Sequence, residues 1–315
     1  MLPTNLLLSP AELATKRWYH FLSPRFWGIW LALGLLRLLS YLPYCLLLKI
    51  GNGLGKLFWF IFKKRRHITA INLKLCFPDL SEQERFELVK KNFASVGIGL
   101  LEAALAWWAS DKRLRKMLEF KGLENLQFAK QQNKGVLFIT AHFTSIELGL
   151  RLLSFATPIH VLYLPPKNLF FAWFLQHTRR HYIQHCIIQS DMRGLLKRLK
   201  GGHAVCYTPD QDKGRNSSVF APFFGDNAAT VRSTGKFLKH NQSIALPGLY
   251  SRDENRQKYT LTFLPPLEHF PTGDEIQDAI RINQTLEGMI CQHPEQYMWQ
   301  HRRFKTRPMG EASVY

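Results

Sequence analysis

Acidic residues are scarce in this chain. Asp and Glu number 23 against 42 Lys and Arg, which leaves a formal net charge of +19 over 315 residues. A chain so short of negative charge seeks a polyanion: nucleic acid, an anionic bilayer or a phosphorylated substrate. Cysteine is sparse as well. The five, at 45, 76, 186, 206 and 291, are odd in number and form no Cys-x-x-Cys pair. That excludes a disulfide framework and a Cys-based zinc site, and it fits a reducing compartment. There is no internal repeat, no low-complexity tract and no long linker. Neither a Gly-x-Ser-x-Gly elbow nor a nucleophilic cysteine motif is present. Hydrophobic residues are not lacking: at 46% they suffice for the core of one large domain or two modest ones.

One long apolar run stands near the N-terminus. Residues 26–48 carry a single charge, Arg37, and are long enough to span a bilayer, with Pro43 placed to kink the helix. The run starts too late and lacks the small-residue cleavage site of a signal peptide. A shorter run, Leu57–Phe62, meets Lys63, Lys64, Arg65 and Arg66, the layout of a segment lying in the interface with its basic end on anionic headgroups. More cations follow the long run than precede it (Lys16, Arg17 and Arg25 come before), which places the rest of the chain in the cytoplasm. The alternative is a buried core helix without membrane contact. The simplest partition is an N-terminal cap over 1–25, a membrane anchor and interfacial segment over 26–66, and a catalytic domain over 67–315.

From Ser81 the pattern becomes soluble. Ser81-Glu-Gln-Glu84 is a capping box opening a charged helix through Asn92, and a more apolar helix follows from Val96 to Trp108. Beyond Gly135, strand-like runs at 136–139, 159–164, 186–189, 204–207, 219–224, 244–250 and 259–264 alternate with helical stretches at 144–155, 169–182, 192–200, 231–240 and 275–293. This alternation predicts an α/β fold with a mostly parallel central sheet flanked by helices, preceded by an N-terminal transmembrane helix.

The most informative local feature is His142, just past a predicted strand, with Glu147 in the first turn of the next helix. Ligands of open α/β sheets bind beyond the carboxyl ends of strands, so His142 stands where chemistry is expected. If the chain folds Glu147 back onto the imidazole, the carboxylate orients one ring nitrogen and leaves the other to take a proton. Thr144-x-x-Glu147 is also a capping box, which alone accounts for Glu147. Asp210-Gln-Asp212-Lys-Gly214 lacks the later ligands of a calcium loop and reads as a strand-to-loop turn holding carboxylates near a substrate. Phe223-Phe224-Gly225 is either part of a phosphate-side block or a strand end with a turn glycine. Thr230 is placed to cap a helix through Lys236 whose N-terminus, with Arg232, could hold an anion. Arg302, Arg303, Lys305 and Arg307 form a basic cluster with Trp299 and Phe304 interleaved, suited to phosphates at a membrane or to nucleic acid. Arg179 and Arg180 close a helix, where its dipole alone favours cations.

These motifs resemble the late acyltransferases of lipid A biosynthesis, the lauroyl/myristoyl family of Gram-negative inner membranes. The resemblance runs through NLKLCFPD (72–79), SEQERFELVKKNFA (81–94), AHFTSIELG (141–149), PDQDKGRNSSVFAPFFG (209–225) and PEQYMWQHRRFKTRP (294–308). It implies a fold like the glycerophosphate acyltransferases and a membrane-anchored, cytoplasm-facing enzyme with no metal or cofactor. The implied reaction passes an acyl group from acyl carrier protein to the 3-hydroxyl of an acyl chain on a phosphorylated, Kdo-bearing lipid A precursor. His142 and Glu147 are the implied catalytic pair. Arg179, Asp210, Asp212, Phe224, Gly225, Arg232 and Arg302 are the candidates for binding substrate. An anionic membrane, rather than nucleic acid, becomes the expected polyanion. One departure stands out. Where the family commonly reads Tyr-Arg-Pro-x-x-Asn, this chain reads Tyr163-Leu-Pro-Pro-Lys-Asn168, so Lys167 or Arg179 must replace the arginine or the acceptor differs. Another glycolipid or a lysophospholipid therefore stays open as acceptor. So does a non-catalytic, membrane-tethered basic binding protein.

Overall fold

The computed structural model describes residues 18–315. Most of the expected 1–25 cap, with Lys16 and Arg17, lies outside them. The apolar run over 26–48 is not one helix. Helix α1 (Trp27–Leu39) stops at Ser40, and α2 (Tyr44–Ile61) begins after Pro43. Proline has no N–H to donate and pushes the residue before it away from helical geometry, so the run breaks there. Among the described residues no single helix is long and apolar enough to cross a membrane; α2 and α3 (Lys63–Cys76), bent by 97°, pass that test only as a pair. Helix α1 nevertheless keeps Trp27, Leu31, Leu35 and Leu38, spaced along one face, exposed to the outside.

Helix α4 (Glu82–Trp108) opens with the expected capping box, both of its bonds formed, and runs unbroken through both of the expected helices. Helices α2 and α4 touch backbone to backbone. A Cβ on Gly97 would lie 2.2 Å from the Gly51 carbonyl oxygen and 2.4 Å from the Gly55 nitrogen. A buried polar knot secures α4 to the sheet. Arg252 reaches both Glu102 oxygens at 2.9 and 3.1 Å and Ser95 Oγ at 2.8 Å, while the Tyr44 hydroxyl donates to Glu102 at 2.9 Å.

The remaining elements follow in order: α5 (Asp111–Met117), β1 (Leu118–Lys121), α6 (Leu123–Gln131), β2 (Val136–Ile139), α7 (Ile146–Leu153), β3 (Ile159–Tyr163), α8 (Leu169–Arg179), β4 (His185–Ile188), α9 (Met192–Lys200), β5 (Ala204–Tyr207), β6 (Ser218–Phe223), β7 (Asp226–Val231), α10 (Thr234–Asn241), β8 (Ile244–Asp253), β9 (Lys258–Phe263) and α11 (Glu275–Ile290). Seven strands form one sheet in the order β1-β9-β8-β2-β5-β3-β4. All its pairs are parallel except β8 with β9. Strands β2 and β5 are buried along their whole length, as expected of central parallel strands covered on both faces. They pair in register, Ile139 opposite Tyr207. Strands β6 and β7 form a separate hairpin. Its two turn residues, Phe224 and Gly225, both have positive φ (52° and 83°), the backbone of a tight two-residue hairpin turn.

Candidate active site

The register of β2 and β5 builds the site. Three residues beyond Ile139 comes His142; three residues beyond Tyr207 comes Asp210. The two side chains meet outside the carboxyl ends of adjacent strands, with His142 Nδ1 2.6 Å from Asp210 Oδ1. The other Asp210 oxygen accepts the His142 backbone N–H and the Tyr297 hydroxyl, each at 3.0 Å. Burial alone would raise the Asp210 carboxyl, but the imidazole and these donors hold it at about 2. An ionised carboxylate can only accept, so Nδ1 carries a proton, and the tautomer this selects for a neutral imidazole has its lone pair on Nε2. Thr208 Oγ1 lies 3.4 Å from Nε2. The loop bearing His142 is itself fastened from behind. Met298 N–H donates to the His142 carbonyl at 2.8 Å, and Thr144 N–H to the Gln296 carbonyl at 2.7 Å.

His142 and Thr208, the neighbour of Nε2, both line a cleft of about 370 Å³. Its inner wall is apolar: Ile146 and Leu150 of α7, Val161 of β3, Leu175 of α8 and Cys206 of β5. Arg179, Gln189, Gln211 and Lys213 are among its polar lining residues. Lys213 donates to Gln189 at 3.2 Å. Its partial burial lowers its ammonium below the ordinary value, with Asp210 acting the other way. Burial pushes the Cys206 thiol up to about 12, which makes it inert at neutral pH.

The structure differs from the expected pairing of His142 with Glu147. The carboxylate on the imidazole is that of Asp210. Glu147 is buried at the start of α7 and accepts from the Tyr182 hydroxyl at 2.7 Å, Arg179 Nε at 3.0 Å and Trp107 Nε1 at 3.1 Å. Burial would raise its carboxyl, but Arg179 and these donors lower it. The ion pair correspondingly raises Arg179 against its own burial. Glu147 thus holds Arg179, which lines the cleft, and no capping bond from Thr144 forms. Arg179 and Leu164 line the same cleft.

Other candidates lie elsewhere. Asp212 is buried and taken up by the chain: its oxygens accept from Thr306 N at 2.7 Å, Gly214 N at 2.8 Å and Thr306 Oγ1 at 2.9 Å. Phe224 and Gly225 form the hairpin turn, and Phe224 N–H donates to Glu287 at 2.9 Å. Thr230 sits in β7 rather than at a helix start. Arg232 is half-exposed and pairs with Glu275 at 3.2 Å, outside the cleft. Arg302 lies over the Tyr315 ring at 5.5 Å. Arg303, at 1% exposure, is a core residue held by the Ala229 carbonyl at 2.6 Å and Thr230 Oγ1 at 2.8 Å, so the basic cluster is not one surface patch. Tyr297, Thr208 and Lys213 are site residues that motif reading passed over; all three sit inside the two long signatures or directly beside them. Among the described residues no three His, Cys, Asp or Glu side chains converge as metal ligands.

A histidine paired with its own carboxylate thus stands at a cleft with an apolar wall, whose one lining thiol is inert. The chain belongs to the bacterial lipid A biosynthesis acyltransferases, whose family model matches residues 14–306. Its relatives include the lipid A biosynthesis palmitoleoyltransferase of Escherichia coli (strain K12), 40% identical over 297 residues, covering 94% of this chain and 97% of the relative. The lauroyltransferase of the same organism is 39% identical over 295 residues, covering 93% and 96%. Its myristoyltransferase is 26% identical over 297 residues, covering 94% and 92%.

Proposed function

We propose that this enzyme carries a lauroyl or myristoyl group from acyl carrier protein to the hydroxyl of a hydroxyacyl chain on a Kdo-bearing lipid A precursor, with His142 as general base. The observation that carries the reading is the His142–Asp210 pair opening onto an apolar cleft of about 370 Å³. The acyl chain lies along Leu150, Val161 and Leu175. Nε2 takes the acceptor's proton as the oxygen attacks the thioester carbonyl, and the imidazolium returns it to the departing thiolate. Thr208 and Lys213 are the donors available to the developing oxyanion. Arg179, fixed by Glu147, meets an anionic group of a substrate. This assigns Asp210 the orienting role that sequence spacing suggested for Glu147. Transfer is direct, because the cleft's own thiol is held protonated by burial.

The uncovered apolar face of α1 and the exposed Leu57, Phe60, Ile61 and Phe62 at the end of α2 support attachment to the inner membrane, with the catalytic domain on the cytoplasmic side. The test is a vesicle assay with purified protein and labelled acyl carrier protein, offering the lipid A precursor and a lysophospholipid together, and lauroyl, myristoyl and palmitoleoyl donors in competition. Label on the lysophospholipid alone would overturn the acceptor.

A further inference from the structure

Helix α3 has two faces. Arg65 and Asn72, two turns apart, reach the C-terminal segment, with Thr69 and Cys76 buried on the same side of the helix. Asn72 donates to the Trp299 and His301 carbonyls at 2.7 and 2.8 Å, and Arg65 to that of Gln300 at 3.1 Å. The opposite face, Lys63, Arg66, His67, Ala70 and Lys74, lines a groove of about 620 Å³ against the first turns of α4. The groove shares no residue with the reactive cleft. Its floor is apolar, Trp59 meeting Phe86 edge to face at 5.5 Å, with Val89 beneath. Arg66 lies over Trp59 at 4.8 Å. Arg85 is held by main-chain carbonyls, that of Pro78 at 3.1 Å. Lys63, His67 and Lys74 are exposed and have no ion-pair partner among the described residues. Glu82 is the one acid in the lining. The groove opens beside the apolar tip Leu57, Phe60, Ile61 and Phe62.

We propose that this groove seats the phosphate headgroup of an anionic glycerophospholipid of the bilayer, with Lys63 and Lys74 as the free cations and Trp59 and Phe86 under the upper acyl chain. Cations above an aromatic floor, next to an apolar tip, match a molecule that carries phosphate and hydrocarbon together. An acidic protein surface would use the cations but not the floor. The acceptor glycolipid reacts at the other side of α3, across the Asn72 contacts. The inference rests on the membrane attachment proposed above.

Flotation of the full chain with phosphatidylcholine vesicles, and with vesicles that also contain phosphatidylglycerol, tests it. Wild type floats with both and prefers the anionic ones. K63Q/K74Q keeps its thermal midpoint and its binding to neutral vesicles but loses about 30-fold of the anionic preference, at about fivefold per cation. K63R/K74R retains it. K197Q/K200Q on α9 makes the same charge change away from the groove and also retains it. A preference unchanged in K63Q/K74Q, or lost equally in K197Q/K200Q, overturns the groove. So does a K63Q/K74Q protein that loses only its affinity for acyl carrier protein, which would make the groove a protein-docking surface. A wild type that floats with neutral vesicles but shows no preference overturns the groove alone. One that floats with neither overturns the membrane reading and the groove with it.

Discussion

Replacing Asp210 by Asn separates charge from shape at the centre of the site. The amide is nearly isosteric, and Asp210 is 1% exposed, so the change leaves the packing in place. In the wild type the carboxyl stands at about 2 against an ordinary 3.8. At about 1.36 kcal/mol per pH unit, that gap is a net preference of about 2–3 kcal/mol for the ionised form, or a factor of about 60. Burial opposes the shift, so this is the smaller part of what the imidazolium would lose. An Asn that turns its amide NH₂ towards Nδ1 also moves the ring proton to Nε2, where it blocks base catalysis; the comparable change in a Ser-His-Asp triad costs about 10⁴ in kcat. D210N is therefore expected to lower kcat between about 60-fold and about 10⁴-fold, with KM for the acyl donor nearly unchanged, in the labelled-donor vesicle assay. Retention of turnover within fivefold of wild type, with a near-native melting curve, would refute the assignment.

Glu147→Gln removes one partner of a buried ion pair and leaves Arg179 uncompensated, so thermal or urea unfolding should show a loss of about 3–5 kcal/mol; an unaltered midpoint contradicts the buried pairing. Gly97→Ala puts a Cβ 2.2 Å from a carbonyl oxygen of α2, so the two helices must part; a loss of at least about 1–3 kcal/mol is expected in the same measurement. His160 is buried beside His203, and burial with the neighbouring cations lowers it to about 4. The folded protein thus binds fewer protons than the unfolded chain below the ordinary 6.5, and stability falls as pH drops from about 6.5 to about 4, by about 3 kcal/mol in full. Denaturant titrations over that range should show the fall in wild type and a flatter profile in His160→Asn.

Strands such as 136–139 and 204–207 were legible in the sequence because a short, wholly apolar run bounded by polar residues has few other uses in an α/β chain. The same reading split α4 in two, because its first half is charged and its second half apolar, although one unbroken helix carries both. It also passed over β1, whose residues Leu118–Lys121 are half-covered or exposed and carry no buried-strand pattern. The site was half legible. His142 announces itself by its place after β2. The carboxylate that meets His142 is set by sheet order, however, and β5, adjacent to β2, lies far along the chain. The trace it left was positional: Asp210 follows its apolar strand at the same offset as His142 follows its own. Proximity in sequence favoured Glu147, whose actual partners, Trp107, Arg179 and Tyr182, no local pattern brings together.

The most direct test is a single turnover of wild type and His142→Ala with labelled acyl carrier protein and lipid A precursor, following label on both lipid and protein. The expected result is label passing to the lipid with none on the protein, and a rate reduced by about 10²–10⁴ in the variant. Label accumulating on the protein, or a variant that transfers at nearly the wild-type rate, contradicts a histidine that activates the acceptor directly.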